Sequence, residues 1–150
     1  MTVRVQSDDF DAGVEMARLR AGNPRIGAVV SFIGTVRDLN DGQGVSTLTL
    51  EHYPGMTERS LADICDQARA RWDLEDLLVI HRFGELRPMD QIVLVVTTSA
   101  HRGEAFLACE FIMDYLKTQA PFWKKESTAQ GERWVQARDT DDEAAQRWQR

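Results

Sequence analysis

The run "IGAVVSFIGTVRD", residues 26–38, stays apolar almost without a break until it reaches a threonine, a valine and an arginine. Read as a strand, it has no polar face to turn toward water, so it predicts cover on both sides. It delivers Thr35, Val36 and Arg37 to its far end, and Arg37 is thereby set at an edge, facing a loop or cleft.

The elements around it follow from spacing and from turn residues. "TVRVQ" reads as a short strand, and "DDFDAGVEMARLRAG" as a helix with an Asp-rich start and Phe10, Val14 and Ala17 on one side. "LNDGQG" is a turn or mobile loop, and "VSTLTLEHY" alternates Leu48 and Leu50 with polar neighbours as a half-buried strand does. After Pro54-Gly55, Thr57 is expected to cap a helix whose stripe is Leu61, Ile64, Cys65, Ala68 and Trp72. "LEDLLVIHRFGEL" and "DQIVLVVTTSA" read as two strands joined by a Gly84 to Asp90 connection. "HRGEAFLACEFIMDYLKT" is a helix with Phe106, Cys109, Ile112, Met113 and Leu116 at helical spacing, capped by Ser99 or His101 and stopped by Pro121. "FWKKES" and "ERWVQAR" flank a turn as a hairpin, and the acidic residues 139–150 read as a terminal helix or a loose tail.

There is no regular βαβα rhythm and no Gly-rich phosphate fingerprint. The fold class expected is α+β, with a mixed, mainly antiparallel sheet and flanking helices. At 150 residues, 43% hydrophobic and 28% charged, the chain fits one domain spanning residues 1–150. Its apolar runs are far short of a membrane span and no leader pattern opens it, so a cytoplasmic protein without membrane contact is expected. A net charge of -6 argues against broad binding to nucleic acid, and any anion site must be local. Cys65 and Cys109 have neither CxxC nor zinc-ligand spacing and fall on apolar helix faces, so no metal site is expected.

Against that acidic background, "DYLKTQAPFWKKE" gathers Lys117, Lys124 and Lys125 around an Ala-Pro-Phe-Trp centre. Lysines held against aromatic walls can serve as anion anchors, proton carriers or nucleophiles, although a solvated helix end would use lysines too. His101 and Arg102, at a helix start, suit a phosphate or carboxylate, and a surface arginine with a capping histidine is the plainer alternative. Fifteen helical residues separate Arg102 from Lys117, or about 22 Å, so one compact site using both ends requires a symmetric dimer. His52 and His81 read as structural, hydrogen-bonded histidines.

Taken in order, "TLEHYPGMTE", "VIHRFGEL", "TSAHR" and "FIMDYLKTQAPFWKKE" resemble the large, catalytic subunit family of molybdopterin synthase, from about Gly27 to Arg138. The resemblance implies a fold of the α/β-hammerhead type and a sulfurtransferase of molybdenum cofactor biosynthesis, with no cofactor of its own. Two sulfurs would pass to cyclic pyranopterin monophosphate from a small ubiquitin-like partner whose C-terminal Gly-Gly carries a thiocarboxylate. A homodimer of large subunits would sit within a heterotetramer. The site implied holds Thr35, Val36, Arg37, His101, Arg102, Lys125 and Glu126 on the substrate, with Lys117 and Lys124 in the chemistry. Lys117 would lie nearest the thiocarboxylate carbon, Lys124 would assist proton transfer or hold the developing anion, and Arg37 would grip phosphate with His101 and Arg102 of the neighbouring subunit. Gln119 between the lysines and Gly103-Glu104 after His101-Arg102 depart from the family pattern. Two other readings stay open on the residues alone: an aromatic and basic binding module built on "FWKKES", and a thioester hydrolase with His101 as base.

Overall fold

Alternation along two central strands sorts their apolar side chains into two clusters on opposite faces of one sheet. In the computed structural model, which describes residues 1–40, 42–135 and 139–149, this sheet has the order β1 (Thr2–Gln6), β5 (Asp76–Arg82), β7 (Gln91–Ser99), β2 (Ala28–Thr35). β1 runs parallel to β5, and the other neighbours are antiparallel. Leu77, Val79, Val93 and Val95 pack with helices α2 (Met56–Arg71) and α3 (Arg102–Gln119). Leu78, Ile80, Leu94 and Val96 face α1 (Ala12–Arg20) on the other side. Both central strands are therefore apolar along their middles, residues 77–80 and 92–96, because both of their faces are core there.

β2 corrects the expectation drawn from its composition. Val29 and Val30 are packed, one on each face, but Phe32 and Ile33 are 40% and 39% exposed. The strand pairs only with β7 and forms the sheet edge, and Ser31, Phe32, Ile33 and Thr35 are exposed there. Its start is tightly held. A Cβ on Gly27 would stand 2.2 Å from the Ala100 carbonyl oxygen, so only glycine allows β2 to begin so close to the end of β7.

The helices form where periodicity places them, with a different face inward on α1 and one stripe residue turned outward on α3. On α1 the buried side comprises Ala12, Met16 and Leu19, joined by Phe10 from the preceding loop, while Val14 is exposed. On α3, Cys109, Ile112, Met113 and Leu116 are buried as expected, but Phe106 is 60% exposed and the aromatic core residues are Phe111 and Tyr115. Helix α2 buries Leu61, Ile64, Cys65 and Ala68 as expected, with Trp72 against the same cluster. Its cap is Gly55, not Thr57: the Gly55 N–H donates to Glu58 Oε2 at 2.6 Å, and Thr57 is already in the first turn. No described helix is long and apolar enough to cross a membrane.

The second sheet runs β3 (Leu39–Asn40), β4 (Gln43–His52), β8 (Phe122–Thr128), β9 (Gly131–Val135), and β6 (Gly84–Leu86) also pairs with β4. "VIHRFGEL" is thus two strands in two sheets, broken where Gly84 adopts a φ of +97°. Leu48, Leu50, Leu86 and Val36 form a small core beneath this sheet. The acidic end forms α4 (Asp139–Gln146) and a short 3₁₀ turn at Arg147–Gln149, whose Trp148 packs on Trp72 and Phe111. Residues 136–138 of the expected last strand lie outside the described residues. Four α-helices and two sheets of mostly antiparallel strands, among the described residues, make the α+β hammerhead architecture that was expected.

Candidate functional site

Lys117 occupies the last turn of α3, which ends at Gln119 because Pro121 offers no N–H to continue it. Three steps later β8 begins, so the chain returns along the helix end and brings Lys124 back beside Lys117. The turn is fastened at Pro121, whose carbonyl accepts a hydrogen bond from Thr57 Oγ1 at 3.0 Å. Thr57 Oγ1 in turn accepts from the Tyr53 N–H at 3.0 Å.

Strand alternation then decides which lysine faces inward. Phe122, Lys124 and Glu126 stand opposite His52, Leu50 and Leu48 of β4, on the inner face. Trp123 and Lys125 stand opposite Glu51 and Thr49, on the outer face, where Lys125 Nζ lies 5.6 Å from the Trp134 ring centroid and 3.5 Å from Glu132. The inner face looks onto two adjoining hollows of about 280 and 330 Å³ that share Thr35, Arg37, Ile92, Lys117, Phe122 and Lys124. Val36 and Glu126 line the first and His81 the second.

Arg37 reaches this cleft because the end of β2 is pinned: Val36 N–H donates to the Asp90 carbonyl at 2.9 Å, and its own carbonyl accepts from Met89 N–H at 2.8 Å. Arg37 and Lys117 are exposed, and Lys124 is half-buried. Glu126, only 5% exposed, accepts from Asn40 Nδ2 at 3.0 Å and from Arg133 Nε at 3.1 Å. Arg133 also donates to the Asn40 carbonyl at 2.8 Å. That carboxylate ties three strands together while sitting at the cavity wall, and Arg133 balances its charge.

Thr35, Val36, Arg37, Lys117, Lys124 and Glu126 therefore meet in one place. Lys125 lies on the outer face of the same sheet, and His101 and Arg102 lie at the far, exposed end of α3. His101 occupies the helix cap position without a side-chain capping bond, and the Ser99 hydroxyl donates to the Asp73 carbonyl at 2.7 Å. Cys65 and Cys109 are buried, and burial first of all pushes both thiols up to about 12, so neither provides a reactive thiolate.

Two ionisable lining residues were not singled out for the site from sequence. Asp141, from the acidic tail, borders the first hollow. His81 is 3% exposed and stacks on Phe122 with ring centroids 3.7 Å apart and planes at 19°. Burial holds its imidazole down to about 3, opposed by the Arg82 carbonyl bond and reinforced by Lys124, Lys117 and His52. The nearest local signal was the place of His81 at the end of a buried strand, just before the chain changes sheets.

A family model described as MoaE protein matches residues 5–119. The chain belongs to the MoaE family of molybdopterin synthase catalytic subunits. It is 71% identical over 147 residues to the molybdopterin synthase catalytic subunit of Ralstonia nicotianae, covering 98% of this chain and 84% of that one. The solved MoaE structure from Burkholderia ambifaria shares 57% identity and a TM-score of 0.85, over 99% of this chain and 98% of that one. A Helicobacter pylori structure, a complex of subunits 1 and 2 of molybdopterin-converting factor, shares the fold with a TM-score of 0.74 at 19% identity, over 91% of each chain. The MoaE match ends at the close of α3, so it includes Arg37 and Lys117, while Lys124 falls within the longer Ralstonia alignment.

Proposed function

We propose that this chain is the sulfur-transferring subunit of a cytoplasmic molybdopterin synthase. It moves two sulfurs from the C-terminal thiocarboxylate of a small ubiquitin-like partner to cyclic pyranopterin monophosphate. One observation carries the reading: Arg37, Lys117 and Lys124, from β2, α3 and β8, converge on a single cleft in a chain of net charge -6. Such a cluster suits a substrate phosphate and a thiocarboxylate, and its ammonium groups offset negative charge developing on the attacked carbonyl. Buried, high-pKa cysteines fit a scheme in which sulfur arrives on a partner. His101 stands outside the cleft, so the hydrolase alternative loses the base on which it was built.

The edge of β2 supports a homodimer within the assembly. Ala28 pairs with Ser99, just before α3 begins, whereas Thr35 pairs with Gln91 beside the cleft. Two β2 edges meeting antiparallel about a twofold axis would cover Phe32 and Ile33. They would also bring the start of one α3, with His101 and Arg102, toward the Lys117 end of the other. Lys125, on the outer face with Trp123 and Trp134, would then serve at the rim, toward the partner, and not inside the cleft.

A single-turnover assay tests the chemistry. The protein is mixed with cyclic pyranopterin monophosphate and the thiocarboxylated small subunit, and dithiolene product is measured for wild type and Lys117→Ala. Product from wild type and a loss of at least about 100-fold in the variant is expected. A folded, partner-bound wild type that makes no product would overturn the reading.

A further inference from the structure

The polar groups of the cleft are unevenly matched. Arg37, Lys117 and Lys124 can only donate hydrogen bonds. Glu126 is occupied by Asn40 and Arg133, and Asp141 borders only the first hollow. In the second hollow the side-chain acceptors are the Thr35 hydroxyl, which can rotate, and His81, whose ring is held in place.

The tautomer of His81 is set by its neighbour. Nδ1 lies 2.8 Å from the Arg82 carbonyl oxygen, which can only accept, so Nδ1 carries the proton and Nε2 keeps its lone pair. That carbonyl is well anchored: the Arg82 guanidinium donates to the Ser7 carbonyl at 3.1 Å and to the Gln91 carbonyl at 3.0 Å. Phe122 clamps the ring from one side. Among the described residues, Arg4 Nε is the one buried side-chain nitrogen or oxygen without a hydrogen-bond partner. The hydrogen bond of His81 is made at Nδ1, so Nε2 meets accessible space, and the hollow that His81 lines also holds Lys117 and Lys124.

We propose that His81 is a specificity-determining residue whose Nε2 accepts a hydrogen bond from a ring N–H of a phosphorylated heterocycle bound in the cleft. The identity of that heterocycle, cyclic pyranopterin monophosphate, rests on the sulfur-transfer reading above. The cations hold anionic groups and do not distinguish one phosphorylated compound from another; an acceptor fixed in place by its ring does. Protonation would turn Nε2 into a donor, and burial with two ammonium groups nearby keeps the ring neutral. A ligand offering only acceptors at that point would leave Nε2 unpaired.

Two substitutions separate this role from a structural one. His81→Asn keeps a donor near the Nδ1 position for the Arg82 carbonyl and has no atom at Nε2. His81→Gln reaches the Nε2 position with an acceptor and gives up the Nδ1 bond. Binding is measured by calorimetry on the complex with a small subunit ending in an ordinary carboxylate, so that no turnover occurs. The probes are cyclic pyranopterin monophosphate and inorganic phosphate. His81→Asn is expected to weaken pterin binding about five- to tenfold while phosphate affinity stays within about twofold, and His81→Gln to remain within about threefold of wild type for both. In wild type labelled with ¹⁵N at histidine, Nε2 should appear unprotonated and move upfield with the pterin but not with phosphate. An Asn variant that binds the pterin like wild type, equal losses in both variants, a parallel fall in phosphate affinity, or an Nε2 resonance that ignores the pterin would each overturn the proposal. If wild type binds phosphate but not the pterin, the sulfur-transfer reading falls with it; if wild type and His81→Asn bind the pterin alike, only the role of His81 falls.

Discussion

The Thr57 hydroxyl, at 0% exposure, bridges two segments that are distant in sequence: it accepts from the Tyr53 N–H and donates to the Pro121 carbonyl, each at 3.0 Å. The first turn of α2 thereby fixes the turn that places Lys124 beside Lys117. Thr57→Val keeps the shape and strands both backbone groups. It should cost about 1–3 kcal/mol in urea denaturation, and single-turnover sulfur transfer should slow as the lysine spacing loosens. Thr57→Ser, which keeps the hydroxyl, should stay close to wild type in both. A valine variant as stable and as fast as wild type would show that the bridge does not hold the turn.

Acidification should expose the cost of charging His81. Its ring is held down to about 3 in the folded chain, against an ordinary value of 6.5. Between these values the unfolded chain takes up a proton that the folded chain refuses. The stability gained from the neutral ring is therefore whole above about 6.5 and is lost as pH falls toward about 3, with a slope approaching about 1.4 kcal/mol per pH unit. Lys124 on β8, Lys117 on α3 and His52 on β4 all face the ring and oppose its protonation. Urea denaturation from about pH 7.5 to 4.5 should show this slope in wild type and a flatter profile in His81→Phe. Equal slopes would mean that the ring is already free to protonate in the folded protein.

The C-terminal segment should contribute to stability through one side chain. Trp148 meets Trp72 and Phe111 edge-on, with ring centroids 5.6 Å apart in each case, and its Nε1 donates to Asp114 Oδ2 at 2.7 Å. Trp148→Ala should lose roughly 2–3 kcal/mol, less than a fully buried tryptophan because this ring is only half-buried. Trp148→Phe keeps the ring contacts without the hydrogen bond and should lose about 1 kcal/mol. Thermal melts of the two variants rank these contributions, and an unchanged melting temperature in Trp148→Ala would mean that the tail does not hold α3 in solution.

How much of this was legible in the sequence depended on how local the deciding interaction is. β5 and β7 could be read as strands because each is a short continuous apolar run bounded by turn residues. β2 carries the same signal, yet its second half lies open, since which strand becomes the edge is settled by pairing and not by composition. On α3, helical spacing allows more than one stripe, and contact with Trp72 selects Phe111 over Phe106. Lys117 and Lys124 were visible because a Pro-terminated helix followed at once by a strand is a local device. Their inward facing, and the outward facing of Lys125, required the register with β4. His81 and Asp141 reach the cleft only through the meeting of the two sheets and the folding back of the tail, and no neighbouring residue announces either.

The proposed dimer has a test that needs no structure of the assembly. If Arg102 of one chain completes the site holding Lys117 of the other, Lys117→Ala and Arg102→Ala damage opposite contributions to each site. Homodimers of either variant should then be nearly inactive. After mixing and exchange of subunits, about half of the dimers are mixed, and each mixed dimer has one site with both residues intact and one with both replaced. About a quarter of all sites should recover, and single-turnover yield should rise to about a quarter of wild type. Ile33→Lys, which puts a charge on the exposed edge of β2, should abolish this recovery and shift sedimentation toward monomer. No recovery from variants that do exchange subunits would mean that each site is built from a single chain, and that the start of α3 plays no part in it.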